Sequence, residues 1–211
     1  MKKRRKKRAP KTTLKSTDYL TVEQICWILQ ILRNEAEGGT FRALTNLFLF
    51  ELLLITGLRC CEVVGLEMRD LPQFHGKDHI DIRWQVAKNS RARRVMLGPK
   101  MVKEIGSFVD RFRPNSKRHC PLLINENGRR MRYWNVYSRI KSVAKKTGIE
   151  WLHPHALRHT YCSLLYGRSK DIFFVQEQAG HVRPETTKIY THIHDTERKM
   201  QVSGLDWLVT T

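Results

Sequence analysis

The spacing of apolar residues is helical along most of this chain and alternates in one short stretch. Helical spacing begins in "LTVEQICWILQIL", where Thr21 and Gln24 form a capping-box pattern. It continues through residues 41–56, which are apolar on nearly all sides and end at Gly57. Alternation appears in "HIDIRWQVAK", where apolar residues at every second position predict a half-buried strand. The pattern predicts one mainly α domain with a small antiparallel β-sheet, an α+β fold.

The remaining segments extend this prediction. "RVMLG" returns after the turn "KNSRAR" as the partner strand, and "PLLI" is a candidate third strand. Further helices are expected where helical spacing, caps and breakers coincide. Their expected ranges are 59–66, 99–112, 133–146, 154–166 and 171–179, with one more starting near Pro184.

A strong positive charge is the main feature of the composition. The 39 Lys and Arg residues exceed the 20 Asp and Glu residues, and seven of the positive charges lie in "MKKRRKKRAP". Most of the excess therefore belongs to the rest of the chain. Such an excess favours a polyanionic partner, most simply nucleic acid, over an ordinary solvated surface.

No membrane span, signal peptide or disulfide framework is expected. The longest apolar run, "LFLFELLLITGL", contains Glu51 and is shorter than the roughly 18 residues that a membrane helix needs. The five cysteines are an odd number, and two of them are adjacent. We therefore expect reduced thiols and a cytoplasmic protein with no membrane partner.

A polar cluster in "HPHALRHTYCSLLY" carries the strongest chemical signal. His155 and Arg158 are three residues apart, so a helix places them on one face. A zinc site built from His153, His155, His159 and Cys162 is a weaker alternative, because an arginine in the same patch repels a dication.

Four motifs in this order resemble those of the tyrosine recombinases, the phage integrase family. They are "TGLRCCEV", "AKNSRAR", "HALR" with "QAGH", and "TKIYTH", within residues 18–195. The resemblance implies the catalytic-domain fold of that family and a site-specific recombinase or integrase that cleaves and rejoins duplex DNA. It implies an origin in DNA integration or recombination, as in a mobile element, and no metal or cofactor. It also implies a homotetramer when synapsed on DNA.

The resemblance assigns the roles in the first half of the site. Arg59 matches the first catalytic arginine, Glu62 a supporting acidic position, and Lys88 the hairpin lysine. Three basic neighbours, Arg91, Arg93 and Arg94, are candidates for contacts with the DNA backbone. The alternative is that Lys88 itself is a backbone contact and another residue of the hairpin is the acid.

The remaining roles fall in the C-terminal half. His155 and Arg158 match the H-x-x-R pair, His181 the second histidine, and Tyr190 the nucleophile that forms a 3′-phosphotyrosyl ester. These residue types suit the chemistry. Two guanidiniums stay charged and can hold the oxygens of a phosphorane, and an imidazole can exchange the proton of a phenol.

Two other functions remain open at the level of the sequence. A type IB topoisomerase uses similar chemistry to relax supercoils, and a non-catalytic relative would bind DNA only. The presence of all six catalytic residues argues against the second.

The predicted organisation has three parts: a basic, disordered tail (1–17), the catalytic domain (18–195) and a C-terminal segment (196–211). That segment is apolar at its end and docks either on a neighbouring protomer or on its own domain. Family members of typical size carry an N-terminal clamp domain, so this chain is either a short member or one from which the clamp was removed. The tail is expected to add affinity for DNA.

Overall fold

The computed structural model describes residues 18–87 and 92–181, and Lys88, Arg91, Tyr190 and both terminal segments lie outside this range. In the described residues the fold is mainly α with a two-stranded antiparallel sheet, as predicted. The helices are α1 (Val22–Glu37), α2 (Phe41–Thr56), α3 (Cys60–Gly65), α4 (Pro72–His75), α5 (Pro99–Phe112), α6 (Tyr133–Thr147), α7 (Pro154–Ser169) and α8 (Ile172–Ala179), with a 3₁₀ turn at Met68–Asp70. The strands are β1 (His79–Ile82) and β2 (Arg93–Met96).

Helix α2 is the centre of the core. It contacts α1, α5, α6 and α7, and its residues Leu49, Phe50, Leu52 and Leu53 have no exposed surface. This burial explains why the segment is apolar on nearly every side. The helix ends at Gly57, which adopts a left-handed conformation with φ 60°.

Local capping signals are confirmed at several helix ends. The side chain of Thr21 accepts a hydrogen bond from the backbone of Gln24, and the Gln24 side chain accepts one from the backbone of Thr21. Gly148 ends α6 in a left-handed conformation. Asp171 accepts hydrogen bonds from the first two backbone N–H groups that follow Ile172 in α8. These features depend on neighbours within four residues, which explains their visibility in the sequence.

The first strand of the sheet is shorter than the alternating pattern predicts. β1 pairs with β2 from His79 opposite Met96 to Ile82 opposite Arg93, and the chain then turns. Trp84 is 59% exposed, so its place in the alternating pattern does not reflect a buried face. Arg83 donates to Asp70 and to the carbonyl of Gly65, and these bonds draw the chain out of the strand direction.

Two further boundary predictions were wrong. "PLLI" forms isolated bridges at Pro121 and Ile124 instead of a third strand in the described part of the chain. Helix α7 continues through Gly167 and ends at Ser169, with Lys170 in the left-handed cap. A glycine permits a helix to end but does not impose it. Packing between α7 and α8, through Tyr166 and Val175, decides the boundary here.

None of the helices within residues 18–87 and 92–181 combines the length and apolar character needed to cross a bilayer. All five cysteines lie in these ranges and all are free.

Candidate active site

Three separate elements bring the candidate residues together. Arg59 precedes α3, His155 and Arg158 lie on α7, and His181 follows α8. Arg59, His155 and Arg158 line one cleft of about 500 Å³, and hydrogen bonds join the two arginines to the end of α8. Residues about a hundred positions apart therefore meet in one place.

Arg59 is anchored on two sides. Its Nη1 donates to Oε1 of Glu62 at 3.0 Å, and its Nη2 donates to the carbonyl oxygen of Gly180 at 3.1 Å. Its backbone N–H donates to Oε2 of Glu62 at 2.8 Å. The side chain remains 19% exposed, so part of the guanidinium faces the cleft.

Arg158 is almost completely buried. Its Nη1 donates to the carbonyl oxygen of Gly57 at 2.7 Å, and its Nη2 donates to that of Ala179. Burial lowers the pKa of this guanidinium, and the positive charge of Arg59 acts in the same direction. An arginine is the side chain that best keeps its charge in such a place.

His155 and His181 lie in opposite environments. His155 is exposed at the cleft, where it can meet a bound molecule and exchange a proton with it. His181 is 8% exposed, and burial lowers its pKa to about 3, with the charges of Arg158 and Arg59 adding to the effect. His181 is therefore neutral near pH ~7 and can act as a hydrogen-bond donor without carrying charge.

Glu62 is the buried counter-charge of the site. Its side chain has no exposed surface and accepts hydrogen bonds from both Arg59 and Arg93. Burial alone would raise the pKa of this carboxyl, but the hydrogen bonds and charges of Arg93 and Arg59 lower it. Glu62 is thus ionised, and its predicted supporting position coincides with a direct contact to Arg59.

The two hairpin arginines that the structure describes, Arg93 and Arg94, lie in different environments. Arg94 has a side chain that is 68% exposed, which suits the predicted contact with DNA. Arg93 has a side chain that is only 8% exposed and turns inward to Glu62. Its guanidinium is bonded to Glu62 and to the carbonyl of Gln178, so the contact of Arg93 with DNA stays a prediction. Arg91 and Lys88 lie outside the described residues.

Sequence reasoning missed two aromatic residues of the cleft. Tyr133 and Tyr137 line it from α6, and their rings are stacked with centroids 6.1 Å apart. Their i, i+4 spacing indicated a shared helical face but not which face it was. Burial, followed by the neighbouring thiols and phenol, raises the pKa of Tyr133. Tyr133 is therefore a poorer nucleophile than a phenol beside a cation.

A metal-like group of donors lies away from the cleft. Among residues 18–87 and 92–181, only His75, His79 and Asp81 bring three candidate ligand atoms within 4.8 Å of one another. Nε of Arg94 lies 3.8 Å from Oδ1 of Asp81, and this cation disfavours a divalent ion on the same carboxylate. The alternative zinc site at the start of α7 does not form such a group.

Curated relatives are tyrosine recombinases. The chain is 28% identical over 196 residues to tyrosine recombinase XerD of Halalkalibacterium halodurans, covering 90% of this chain and 62% of that protein. It is 29% identical over 179 residues to tyrosine recombinase XerC of Staphylococcus aureus, covering 83% of this chain and 58% of that protein. The chain thus spans about 60% of the length of these relatives.

Solved structures share the fold. XerH site-specific recombinase bound to a palindromic difH substrate matches with a TM-score of 0.70 and 23% identity, over 92% of this chain and 54% of that chain. XerA recombinase matches with a TM-score of 0.69 and 23% identity, over 97% and 66%. The Tn1549 transposon integrase in complex with transposon right end DNA matches with a TM-score of 0.69 and 19% identity, over 84% and 62%. The predicted catalytic-domain fold is confirmed.

A family model described as the phage integrase family matches residues 18–197, close to the whole chain. This match confirms the resemblance that the arginine, histidine and tyrosine motifs indicated. The chain therefore belongs to the phage integrase family.

Proposed function

We propose that this protein is a site-specific recombinase that cleaves and rejoins duplex DNA through a covalent 3′-phosphotyrosyl intermediate. One observation carries the proposal. Arg59 and Arg158, 99 positions apart in the sequence, donate to adjacent carbonyl groups at the C-terminal end of α8 and line the same cleft as His155. A cleft with two fixed guanidiniums and an exposed imidazole suits a phosphodiester that gains negative charge during reaction.

The proposed reaction exchanges a phosphodiester bond for a phosphotyrosyl ester bond and needs no external energy source. The phenol oxygen of Tyr190 attacks the scissile phosphorus while His155 accepts the phenolic proton. The bond between phosphorus and the 5′ oxygen breaks, and Lys88 supplies the proton to that leaving oxygen. The 3′ phosphate stays on Tyr190 as an ester. Attack of a 5′ hydroxyl on this ester reverses the step and reseals the strand.

The surroundings of the cleft support distinct tasks for the other groups. Arg59 and Arg158 bind the non-bridging oxygens, and neutral His181 donates a hydrogen bond to one of them. Glu62 balances the charge of the arginines. It also keeps Arg59 in place, because Nη1 of Arg59 donates to Oε1 of Glu62 at 3.0 Å. Arg94, with its exposed side chain, contacts the DNA backbone together with Arg91.

The solved structures support duplex DNA as the substrate, since XerH is bound to a palindromic difH substrate and the Tn1549 integrase is in complex with transposon right end DNA. We place the catalytic unit at residues 18–195 and assign a DNA-binding role to the basic tail, residues 1–17. Action on DNA places the protein in the cytoplasm, on the nucleoid. Strand exchange requires four protomers on two duplexes, so we propose a homotetramer on DNA.

The C-terminal segment, residues 196–211, is proposed to link protomers in that tetramer. Sedimentation on DNA of a chain that ends at Ser203 tests this link. Loss of the tetramer supports docking on a neighbour. A tetramer identical to that of the full chain shows that the segment docks on its own domain or plays no part in assembly.

A covalent trap tests the proposed reaction. The probes are duplexes selected from a random-sequence pool by binding to this protein, each nicked a few bases from its centre. Cleavage near the nick releases a short fragment and leaves the adduct trapped. We expect a protein–DNA adduct with the natural chain and none with Tyr190→Phe.

Tyr133→Phe is the matched control, because Tyr133 is a tyrosine that lines the described cleft. It should retain the adduct. No adduct with the natural chain on any selected duplex contradicts the proposed function. Relaxation of supercoiled plasmid without the selected site would favour a topoisomerase instead.

A further inference from the structure

Three consecutive carbonyl groups at the end of α8 each accept a hydrogen bond from a different arginine. The carbonyl of Gln178 accepts from Nε of Arg93 at 3.1 Å. The next two, of Ala179 and Gly180, accept from Arg158 and Arg59. The partial negative charge of a helix C-terminus favours cations at this position. Two of these arginines belong to the proposed active site, and the third, Arg93, does not line the cleft.

Arg93 directs its guanidinium to internal partners. Its Nη1 and Nη2 donate to Oε1 and Oε2 of Glu62 at 2.8 and 3.0 Å, a two-bond pairing that fixes orientation as well as distance. Gly180 lies directly against it, because a Cβ built there would come within 2.9 Å of the guanidinium. Arg93 therefore lies between Glu62 and the turn that leads to His181.

The strand that carries Arg93, β2, is also hydrogen-bonded to the end of α8 through its backbone. The backbone N–H of Met96 donates to Oε1 of Gln178 at 2.9 Å. β2 thus holds the end of α8 through both a side chain and its backbone. Residues 88–91, which include Lys88, precede this strand in the sequence and lie outside the described residues.

We propose that Arg93 is a positioning residue of the active site, which acts through Glu62 and the end of α8 to orient Arg59 and His181. This inference rests on the proposed function and revises the role predicted for Arg93 as a DNA contact.

The shared carboxylate gives the physical reason. Oε1 of Glu62 accepts from Nη1 of both Arg59 and Arg93, so Arg93 satisfies part of a buried charge. Without Arg93, Arg59 is the remaining guanidinium that hydrogen-bonds the carboxylate, and it is then drawn towards Glu62 and away from the phosphate. The end of α8 also loses a donor beside His181. A displacement of about 1 Å in a catalytic group can lower the rate by about a hundredfold.

The test compares Arg93→Gln with Arg94→Gln, which removes the same charge from the next residue of the same strand. Each variant is measured for single-turnover adduct formation on the nicked duplex at saturating protein and for affinity against salt. We expect Arg93→Gln to lower the cleavage rate about tenfold to a hundredfold and to keep the salt slope. Arg94→Gln should lower the slope by up to about 0.9.

A pH profile separates positioning from general loss of structure. In Arg93→Gln, Glu62 stays buried and keeps the hydrogen bonds of Arg59 and the more distant charge of Arg158, but it loses its two-bond partner. Its pKa therefore rises, and cleavage should fall in a new acidic limb. The double variant Glu62→Gln with Arg93→Gln lacks the carboxylate and should lack this limb. Because Arg93 acts through Glu62 and also bonds the carbonyl of Gln178, its removal should slow Glu62→Gln by a smaller factor than it slows the natural chain.

Arg93→Lys keeps the charge without the two-bond geometry and serves if the glutamine variant fails to fold. It should cleave more slowly than the natural chain at an unchanged salt slope. Folded Arg93 variants that cleave at the natural rate but have a reduced salt slope would overturn this inference and leave the proposed function standing. Absence of an adduct with the natural chain contradicts the proposed function, and the inference falls with it.

Discussion

The guanidinium of Arg158 donates to the carbonyl oxygen of Gly57 at 2.7 Å, across 101 positions of sequence. The bond joins α7 to the turn that ends α2, and the second Nη of Arg158 reaches Ala179 at the end of α8. One planar side chain therefore fixes the relative positions of two turns around the cleft. Since both partners are backbone carbonyls, these contacts require two N–H donors in the fork geometry of a guanidinium at position 158.

Arg158→Lys should therefore be damaging although it keeps the charge. A lysine ammonium cannot reproduce the fork that reaches both carbonyls, and it loses a donor to the transition state. We expect single-turnover cleavage to fall at least about a hundredfold. The unfolding free energy should fall by about 1.5–3 kcal/mol because a buried hydrogen bond from a charged group is lost.

Arg168→Lys, at an exposed position of the same helix, is the matched control and should leave both quantities unchanged. Adduct kinetics on the nicked duplex and urea unfolding supply the measurements. A folded Arg158→Lys protein that cleaves at the natural rate would show that the fork geometry is unimportant.

Gly57→Ala should destabilise the protein for two reasons. Gly57 has φ 60°, a conformation that costs a residue with a Cβ about 1 kcal/mol. Its Cβ would also lie 2.2 Å from Cδ1 of Tyr161, a buried ring packed in the cluster between α7 and α8. Overpacking of this kind costs about 1–3 kcal/mol. We expect a total loss of about 2–4 kcal/mol in urea unfolding.

Gly148→Ala separates the two reasons. Gly148 has φ 71°, and a Cβ added there would meet no described atom within 4 Å, so only the backbone cost applies. It should lose about 1 kcal/mol. Equal losses in both variants would show that the ring of Tyr161 moves aside at little cost.

The sequence predicted best those helix and strand boundaries that depend on residues within about one turn. The bounds of α2 and α5 agree with their expected ranges because glycine, proline and threonine mark their ends within one turn. The predicted first strand was too long, because it included Trp84 and the residues after it. The alternating pattern does not reveal the hydrogen bonds that Arg83 makes to Asp70 and Gly65. Tertiary contacts decided that boundary.

The candidate site shows the same division. Motif resemblance placed Arg59, His155, Arg158 and His181, and the structure brings them around one region. The pairing of Arg93 with Glu62, 31 positions apart, was not visible, since three neighbouring basic residues look alike in a sequence. Burial distinguishes them, and burial is a property of the folded chain.

Acid should destabilise the protein through His181. The pKa of the buried ring is about 3, against 6.5 for the free side chain, so the unfolded chain binds an extra proton between these values. The unfolding free energy therefore falls as the pH is lowered below about 6.5, by up to about 2 kcal/mol at pH ~5. His181→Gln should remove this part of the slope between pH ~7.5 and pH ~5.

His119→Gln is the control, because the side chain of His119 is 75% exposed. Urea unfolding of both variants is measured at each pH. A His181→Gln protein whose stability changes with pH as steeply as that of the natural chain would show that the ring is protonated in the folded state. Such a result would also remove the proposed role of His181 as a neutral donor.

Deletion of residues 1–10 should weaken DNA binding in a salt-dependent way. These residues carry seven Lys and Arg side chains, and each phosphate that they neutralise contributes about 0.9 to the slope of log affinity against log salt. A fluorescence titration on one duplex over a range of salt measures the slope. A chain of full length with these seven residues changed to Gln is the control, and it should match the deletion because charge, not length, supplies the affinity. An unchanged slope in both proteins would show that the tail makes no contact with DNA.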